Sequence, residues 1–386
     1  VSLSANWMWP CRNKGEDARL YRAAKAASDF AVELGINIPT GKDSLSMTQK
    51  YEDEVVYAPG TVIISAAGEV TDVRKIVQPV IKNDPGSRLI YIDLANCDFA
   101  LGGSSFEQTL NHLYNEAPTV TDASYFRKAF NLVQALIEEE KVLAGHDVSA
   151  GGLITTLLEM TFSNEEGGIE ADITGMPGET LQVLFSEKPG LVIQVADAPE
   201  IVAILEKEGI THHIIGRPIP EREIALTVHE RNWKLDIDPL RDLWFRTSYL
   251  LDRKQSGEKL AKERYEHYAS HRLRFKLGNF DGSFEALGIN PDRRDRSGIT
   301  GAIIREKGVN GDREMAYAMH LAGFDVKDVH MTDLISGRET LEDVHFIVFV
   351  GGFSNSDVLG SAKGWAGAFR RSEERRVGKE CATGCR

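Results

Sequence analysis

Apolar runs with strand or helix periodicity alternate along most of this chain, and short polar segments containing glycine separate them. This alternation predicts mixed domains in which helices pack on sheets. The most informative polar segment is residues 35–47, which lies between a long amphipathic helical pattern and two strand-like runs.

Residues 35–47 bring a cation, Lys42, and a carboxylate, Asp43, together with two serine hydroxyls. Such a polar turn can hold a phosphate and its metal, because glycine permits close backbone approach, lysine supplies a positive charge and aspartate can ligate Mg²⁺. The segment lacks the full phosphate-loop pattern, so an ordinary solvated loop is the alternative.

A second polar segment, residues 142–152, contains His146 and Asp147 at the end of a short strand-like run. A glycine pair at positions 151 and 152 then precedes an apolar helical pattern. Free backbone amides at a helix N-terminus bind anions, and the adjacent carboxylate suits a metal. A buried, hydrogen-bonded histidine–aspartate pair is the alternative, and the residues alone leave both open.

The remaining pattern places elements on both sides of these segments. A strand over residues 1–8 carries Asn6, which either faces a ligand or begins a turn. A helix follows, with acids in its first turn and Gly35 as its stop signal. From residue 298 a parallel α/β pattern begins, and its turn at Gly351 and Gly352 is either an oxyanion hole or a plain structural turn.

The composition excludes several classes of protein. The chain has 386 residues, 42% of them hydrophobic and 27% charged, with a formal net charge of −13. The length allows two or three domains, and the acidic balance argues against nucleic-acid binding. No apolar run is long enough for a membrane span, and the four cysteines show no metal-ligand spacing. A cytoplasmic protein is expected.

The two ends of the sequence are unusual. The chain starts at Val1 inside a strand-like run, which indicates a fragment. Residues 371–386 have no apolar period and resemble the translation of a sequencing-library adapter, so we interpret them as an artefact.

Six motifs jointly resemble the large single-chain phosphoribosylformylglycinamidine synthases of purine biosynthesis, and the resemblance covers residues 1–370. They are residues 3–8, 15–18, 39–47, 146–153, 308–310 and 351–360. The chain resembles the second half of the synthetase core and the start of the glutaminase domain.

The resemblance implies an α+β half of the aminoimidazole-ribonucleotide-synthetase (PurM-like) type, followed by a truncated α/β class I glutamine amidotransferase domain. The implied segments are a partial N-terminal-type subdomain, a C-terminal-type subdomain, a helical connector, the truncated amidotransferase domain and the artefact. The N-terminal-type subdomain spans residues 1–80 and the C-terminal-type subdomain residues 81–231. The connector spans residues 232–297, the truncated amidotransferase domain residues 298–370 and the artefact residues 371–386.

The implied reaction activates the amide oxygen of formylglycinamide ribonucleotide with ATP, and ammonia from glutamine then displaces phosphate. ATP or ADP and Mg²⁺ are the implied cofactors. The implied partners are these small-molecule substrates and the missing first half of the same chain, with neither nucleic acid nor membrane. The fragment is expected to be inactive alone and to expose apolar surface where the missing half packs.

Carried over by matching motif, Asp147 resembles a magnesium ligand and Ser149 a nucleotide contact. Lys42 and Asp43 resemble a loop that touches ATP and its metal, and Asn6 lies near another such position. The pattern usually has a second aspartate where Ala150 stands.

The glutaminase motif also departs from the family, because Asn355 and Ser356 interrupt it. No catalytic residue is assigned, since the glutaminase nucleophile and its partners lie outside the sequence. The alternatives are another PurM-superfamily enzyme that uses ATP, such as aminoimidazole ribonucleotide synthetase, selenophosphate synthetase or thiamine-monophosphate kinase, and a non-catalytic nucleotide-binding scaffold.

Overall fold

The computed structural model describes residues 1–113, 116–270, 276, 278, 280–352, 363 and 365–367. The chain divides into two compact units, Val1–Ser270 and His271–Arg386. Each unit is described below by itself.

The first part of the first unit contains one helix and five strands. They are β1 (Ser2–Met8), α1 (Glu16–Leu34), β2 (Asn37–Ser44), β3 (Thr48–Lys50), β4 (Val55–Tyr57) and β5 (Thr61–Ala67). Strand β1 lies at the centre of a three-stranded sheet, parallel to β2 and antiparallel to β5, while β3 and β4 form a separate antiparallel pair. The predicted strand over residues 1–8 is confirmed, and the two strand-like runs after residue 47 form β4 and β5.

Helix α1 follows the predicted signals at both ends. Glu16 and Asp17 lie in its first turn, where carboxylates are favourable to the helix dipole. Gly35 adopts a left-handed conformation with φ of 74° and donates its N–H to the carbonyls of the last turn. The apolar face is only half buried, however, with Ala31 its one buried residue, and Phe30 packs edge-on against Phe126.

The second part of the first unit is a seven-stranded sheet with five helices. Its elements are β6 (Arg88–Asp93), α2 (Ser105–Thr109), α3 (Ala123–Glu138), β7 (Ala144–Asp147), α4 (Gly152–Phe162), β8 (Gly168–Asp172), α5 (Thr180–Phe185), β9 (Gly190–Val195), α6 (Ala198–Lys207), β10 (His212–Ile219), β11 (Glu223–Val228) and β12 (Arg231–Asp236). The strand order is β12-β11-β8-β10-β6-β9-β7, and every pairing is antiparallel except that of β11 with β8.

Both faces of the seven-stranded sheet are buried, and β6 shows how. Leu89 and Tyr91 lie in the hydrophobic cluster that includes α4, whereas Ile90 and Ile92 lie in the cluster that includes α3 and α6. Side chains alternate between faces along a strand, so a continuous apolar run is what two covered faces require.

Two antiparallel helices, α7 (Ile237–Gln255) and α8 (Glu258–His267), complete the first unit. Trp244 in α7 donates its ring N–H to Glu159 of α4 at 2.8 Å. Arg241 bonds the carbonyl of Phe162 at the C-terminal end of α4, a favourable place for a cation. The helical segment predicted after residue 232 therefore packs on the domain that precedes it.

The second unit contains a parallel α/β sheet, as its pattern predicted. Its elements are β13 (Thr300–Arg305), α9 (Asp312–Leu321), β14 (Asp325–His330), α10 (Met331–Ile335) and β15 (Phe346–Phe349). The strand order is β14-β13-β15, with both pairings parallel. Across the described residues of both units, every helix is too short or too polar to traverse a bilayer.

Candidate functional site

The segment between β7 and α4 has the predicted strand–turn–helix form. Gly151 and Gly152 have φ values of 88° and 74°, which disfavour residues with a side chain. A Cβ atom on Gly152 would also lie 2.6 Å from the carbonyl oxygen of Leu184. The glycine pair is therefore required for the turn and for its close packing.

Asp147 presents its carboxylate to solvent on a fixed backbone. Its side chain is 69% exposed, whereas its carbonyl oxygen accepts a hydrogen bond from Thr156 Oγ1 at 3.1 Å and lies 2.7 Å from His146 Nδ1. The alternative of a buried histidine–aspartate pair is thus not what forms, because only the histidine is largely buried. The exposed carboxylate is available to a ligand.

His146 connects this turn to two other elements. Its Nδ1 lies 3.4 Å from Asp147 Oδ1, and its Nε2 lies 3.4 Å from Glu159 Oε2. The other oxygen of Glu159 accepts the indole N–H of Trp244. A polar chain therefore runs from helix α7 through α4 to the Asp147 turn.

The carboxylates do not form a preformed metal cage. Within the part of the chain that the structure describes, no group of three or more histidine, cysteine, aspartate or glutamate side chains is placed to hold a metal ion. Mg²⁺ commonly uses only one or two carboxylates and completes its shell with substrate phosphates and waters. A single exposed aspartate fits Mg²⁺ that arrives with a nucleotide, and does not fit a metal held by protein alone.

Ser149 is exposed at the same turn, and its carbonyl oxygen accepts the Gly152 N–H at 3.0 Å. The expectation that the amides here are free is therefore wrong for Gly152, and it is also wrong for Gly151, which donates to Glu187 Oε1 at 3.0 Å. The reason is that a carboxylate of the chain itself satisfies a donor at the helix N-terminus. Sequence reasoning missed Glu187, because it lies 36 residues from its partner and no local motif marks it.

The expected turn around Lys42 and Asp43 is wrong, because both residues lie in strand β2. Strand β2 pairs closely with β1: a Cβ atom on Gly41 would lie 2.1 Å from the carbonyl oxygen of Ala5. The glycine that suggested a phosphate turn therefore serves close strand pairing.

Strand geometry divides the residues predicted around Lys42. Asn6 is the registered partner of Lys42, and Trp7 is the partner of Asp43. Registered residues share a face and successive residues face opposite sides, so Asn6 and Lys42 lie together while Asp43 faces the other way. Lys42 also contacts Ser44 Oγ. The structure thus brings two of the predicted residues together and separates the third.

In the second unit, residues 308–311 lie beside Gly351 and Gly352. Asn310 donates its N–H to the Gly351 carbonyl at 3.4 Å, and Gly352 has φ of 131°. Phe353, Asn355 and Ser356 lie outside the described residues, as do residues 371–386. The oxyanion-hole and artefact interpretations therefore stay predictions.

Three family models match consecutive parts of the chain. An FGAR-AT PurM_N-like domain matches residues 1–69, and the C-terminal domain of AIR synthase related proteins matches residues 84–229. A CobB/CobQ-like glutamine amidotransferase domain matches residues 300–381, which includes part of the tail interpreted as an artefact. The predicted fold class is confirmed, whereas the exact domain bounds stay predictions.

Two curated relatives match almost the whole chain. A probable phosphoribosylformylglycinamidine synthase of Arabidopsis thaliana, described as chloroplastic/mitochondrial, is 39% identical over 97% of this chain and 26% of its own length. A probable phosphoribosylformylglycinamidine synthase of Caenorhabditis elegans is 37% identical over 97% of this chain and 29% of its own length. The chain thus spans little more than a quarter of these relatives.

Solved structures match more distantly. PurL from Thermotoga maritima complexed with ATP is 14% identical, with a TM-score of 0.45 and coverage of 62% of this chain and 37% of that one. HypE from E. coli, a hydrogenase maturation protein, is 17% identical, with a TM-score of 0.41 and coverage of 61% and 73%. These two matches are too distant to assign any residue. The resemblance inferred from the motifs is confirmed by the curated relatives and the family models: over nearly its whole length the chain is similar to a part of the phosphoribosylformylglycinamidine synthases.

Proposed function

We propose that this chain contributes a nucleotide-binding part to an ATP-dependent ligase of purine biosynthesis. The reaction converts formylglycinamide ribonucleotide, glutamine and ATP to formylglycinamidine ribonucleotide, glutamate, ADP and phosphate. The similarity to two synthases over 97% of the chain supports this proposal. Because the chain spans a small share of those relatives, we expect it to be inactive without the remaining segments.

The observation that carries the proposal is the Asp147 turn. It combines an exposed carboxylate, the exposed Ser149 and the N-terminus of an 11-residue helix. Phosphoryl transfer depends on holding the polyphosphate and its metal in position, and these groups are suited to that task. Asp147 would ligate Mg²⁺, and Ser149 would contact the nucleotide.

The residues Asn6, Lys42 and Asp43 on the three-stranded sheet form a second proposed group of ATP contacts, separate from the Asp147 turn. Asn6 and Lys42 share one sheet face, which suits contact with one phosphate group. Asp43 remains a proposed contact of ATP and its metal. Because it faces the opposite side of the sheet from Asn6 and Lys42, it would contact a different ligand atom or act in a different step of the reaction. The two groups lie on separate sheets.

The location proposed for the protein is the cytoplasm. The absence of paired cysteine spacing supports a reducing compartment. One relative is described as chloroplastic/mitochondrial, so an organelle is the competing location.

Nucleotide binding by the full chain tests the proposal directly. Replacing Asp147 with alanine should weaken ATP binding by at least about tenfold when Mg²⁺ is present, since a charged ligand is lost. The same variant should bind ATP much as the unmodified chain does when EDTA removes the metal. Equilibrium dialysis with labelled ATP measures both conditions.

The matched control is Glu206→Ala, which removes an exposed carboxylate from helix α6. It changes the net charge equally and should leave the dissociation constant unchanged in both conditions. If Asp147→Ala and Glu206→Ala behave alike in Mg²⁺, the proposed metal ligand is wrong. If the unmodified chain binds no nucleotide, the proposed role of the whole turn is wrong.

A further inference from the structure

The segment of residues 185–188, named here the clasp, joins two loops that are far apart in sequence. Phe185 stacks on Phe106 with ring centroids 4.4 Å apart and planes inclined by 17°. Ser186 donates its hydroxyl to the carbonyl of Ala100 at 2.7 Å. The first contact binds the clasp to helix α2, and the second binds it to the loop that leads into α2.

Lys188 anchors the other end of the clasp inside the protein. Its ammonium group bonds Asp93 Oδ2 at 2.7 Å, bonds the Cys97 carbonyl and lies 4.4 Å from the ring centroid of Phe99. The Lys188 and Asp93 side chains are only 4% and 6% exposed. A buried charge with this many partners has one favourable arrangement, so the clasp is held rigidly.

Glu187, between these anchors, connects the loop before α2 to the Asp147 turn. Its Oε1 atom accepts the N–H of Ser105 at 2.7 Å and the N–H of Gly151 at 3.0 Å. One oxygen atom thereby fixes the N-terminal ends of α2 and α4 relative to each other.

The turn also packs directly on the clasp and the residue before it. A Cβ atom on Gly152 would lie 2.6 Å from the Leu184 carbonyl oxygen and 2.7 Å from the Phe185 Cα. Gly152 therefore allows the turn to rest on this backbone, and Glu187 holds it there by a hydrogen bond. Packing and hydrogen bonding act on the same few residues.

We propose that Glu187 is a positioning residue of the nucleotide site, and that it holds the turn so that Asp147 and Ser149 face the same ligand. This inference rests on the proposed function. A competing role follows from the same contacts: a carboxylate on a helix N-terminus occupies a place that a phosphate would take. The two roles predict changes of opposite sign in nucleotide affinity.

Two substitutions at Glu187 separate these roles in the full chain. Glu187→Ala removes both hydrogen bonds, so we expect Mg-ATP to bind at least about tenfold more weakly, as the loss of charge-assisted bonds predicts. Glu187→Gln retains a carbonyl oxygen that can accept both N–H groups, so we expect an affinity within about threefold of the unmodified chain. Equilibrium dialysis with labelled ATP in Mg²⁺ is the measurement.

Ser105→Pro tests the connection without altering Glu187 or the turn. Ser105 is the first residue of α2, a position where proline is tolerated, and the preceding Ser104 has the extended conformation that proline requires. The substitution deletes one N–H donor. We expect a weakening of about three- to fivefold, smaller than that of Glu187→Ala, because one of two bonds to the carboxylate remains.

Hydrogen exchange at the Gly151 amide reports whether the connection itself is present. It should be slow in the unmodified chain and in Glu187→Gln, and faster in Glu187→Ala. Unchanged or tighter Mg-ATP binding in Glu187→Ala would overturn the positioning role and leave the proposed function standing. Absence of binding in the unmodified chain would overturn both, so the two failures are distinguishable.

Discussion

The two larger sheets of the first unit are built from similarly apolar strands, yet one is buried and the other is open. Strand β6 in the seven-stranded sheet has Leu89, Ile90 and Ile92 at 0% exposure. Strand β5 in the three-stranded sheet has Ile63 at 53% and Ile64 at 43%. Adjacent strand residues face opposite sides, so both faces of β5 are open to solvent.

The difference lies in what covers each sheet. Helices α3 and α6 pack on one face of the seven-stranded sheet and α4 packs on the other. Helix α1 instead directs Phe30 onto Phe126 of α3. The three-stranded sheet and its neighbouring hairpin do expose apolar side chains, with Val56 and Tyr57 46% and 53% exposed. That the missing half packs on this surface stays a prediction. An apolar strand is a core strand only when another element covers it.

The test with the largest expected effect compares two alanine substitutions, one in each sheet region. Leu157 is fully buried in the cluster that includes α4, so Leu157→Ala should lower the free energy of unfolding by about 3 to 4 kcal/mol. Ile63→Ala removes a side chain that is already half exposed and should cost at most about 1 kcal/mol. Denaturant unfolding followed by circular dichroism measures both.

Leu205→Ala is the control for the opposite face, since Leu205 is fully buried in the cluster that includes α3 and α6. It should cost about as much as Leu157→Ala. A loss for Ile63→Ala that matches these core variants would mean that the three-stranded sheet is covered in solution, and the contrast between the sheets would be lost.

A second test uses association instead of stability. Large exposed apolar patches and open strands favour self-association. The double variant Ile63→Lys with Val56→Lys should raise the concentration at which the chain self-associates by at least about tenfold. Analytical ultracentrifugation over a concentration series measures this.

The control for charge is Val32→Lys, which replaces a 75% exposed residue of helix α1 outside the open strands. It adds positive charge without altering the sheet, and it should shift the association far less. An equal shift in both variants would assign the effect to net charge and not to the apolar strands.

Local signals in the sequence predicted many elements correctly. Helix α1 ends at Gly35, and the turn before α4 contains its two glycines, because residues at these positions must adopt left-handed conformations. The placement of Asp147 at the end of a short strand was equally local. Periodicity and glycine positions are properties of a few neighbouring residues, so one sequence suffices to find them.

Other features depend on residues that are distant in sequence. Lys42 and Asp43 lie in a strand because Gly41 can approach Ala5 of β1, a contact that no pattern around Lys42 reveals. Glu187 binds Ser105 across 82 residues. Strands β5 and β6 are both apolar, so the sequence does not distinguish them. Their burial differs because it is decided by the covering helices and not by the strand.

The second unit shows that having only three strands does not make a sheet open. Its central strand β13 has Ala302 and Ile304 at 0% exposure and Ile303 at 2%. Before β13, the carboxylate of Asp325 accepts the N–H groups of Ser297 and Gly298 at 3.0 and 2.9 Å. In this three-stranded sheet, burial of β13 is therefore accompanied by a polar contact, in which Asp325 holds the residues just before β13 in place.

These contacts predict a dependence on pH that is the smallest of the three effects. Backbone N–H donation from Ser297 and Gly298, together with Arg293, lowers the pKa of Asp325 from 3.8 to about 2. The folded state thus prefers the ionised form more strongly than the unfolded state does. The resulting stabilisation is present above pH 3.8 and is lost as the pH falls toward about 2.

Hydrogen exchange of β13 and β14 between these pH values measures the effect locally, after correction for the intrinsic rate, with β6 as the reference strand. Protection of β13 and β14 should fall as the pH is lowered, and Asp325→Asn should flatten that fall. Asp328→Asn is the control, because its ion pair with Arg305 leaves Asp328 61% exposed and contributes little. If Asp325→Asn retains the full pH dependence, other titrating groups cause it, and the stabilising role assigned to the Asp325 carboxylate at the start of β13 is wrong.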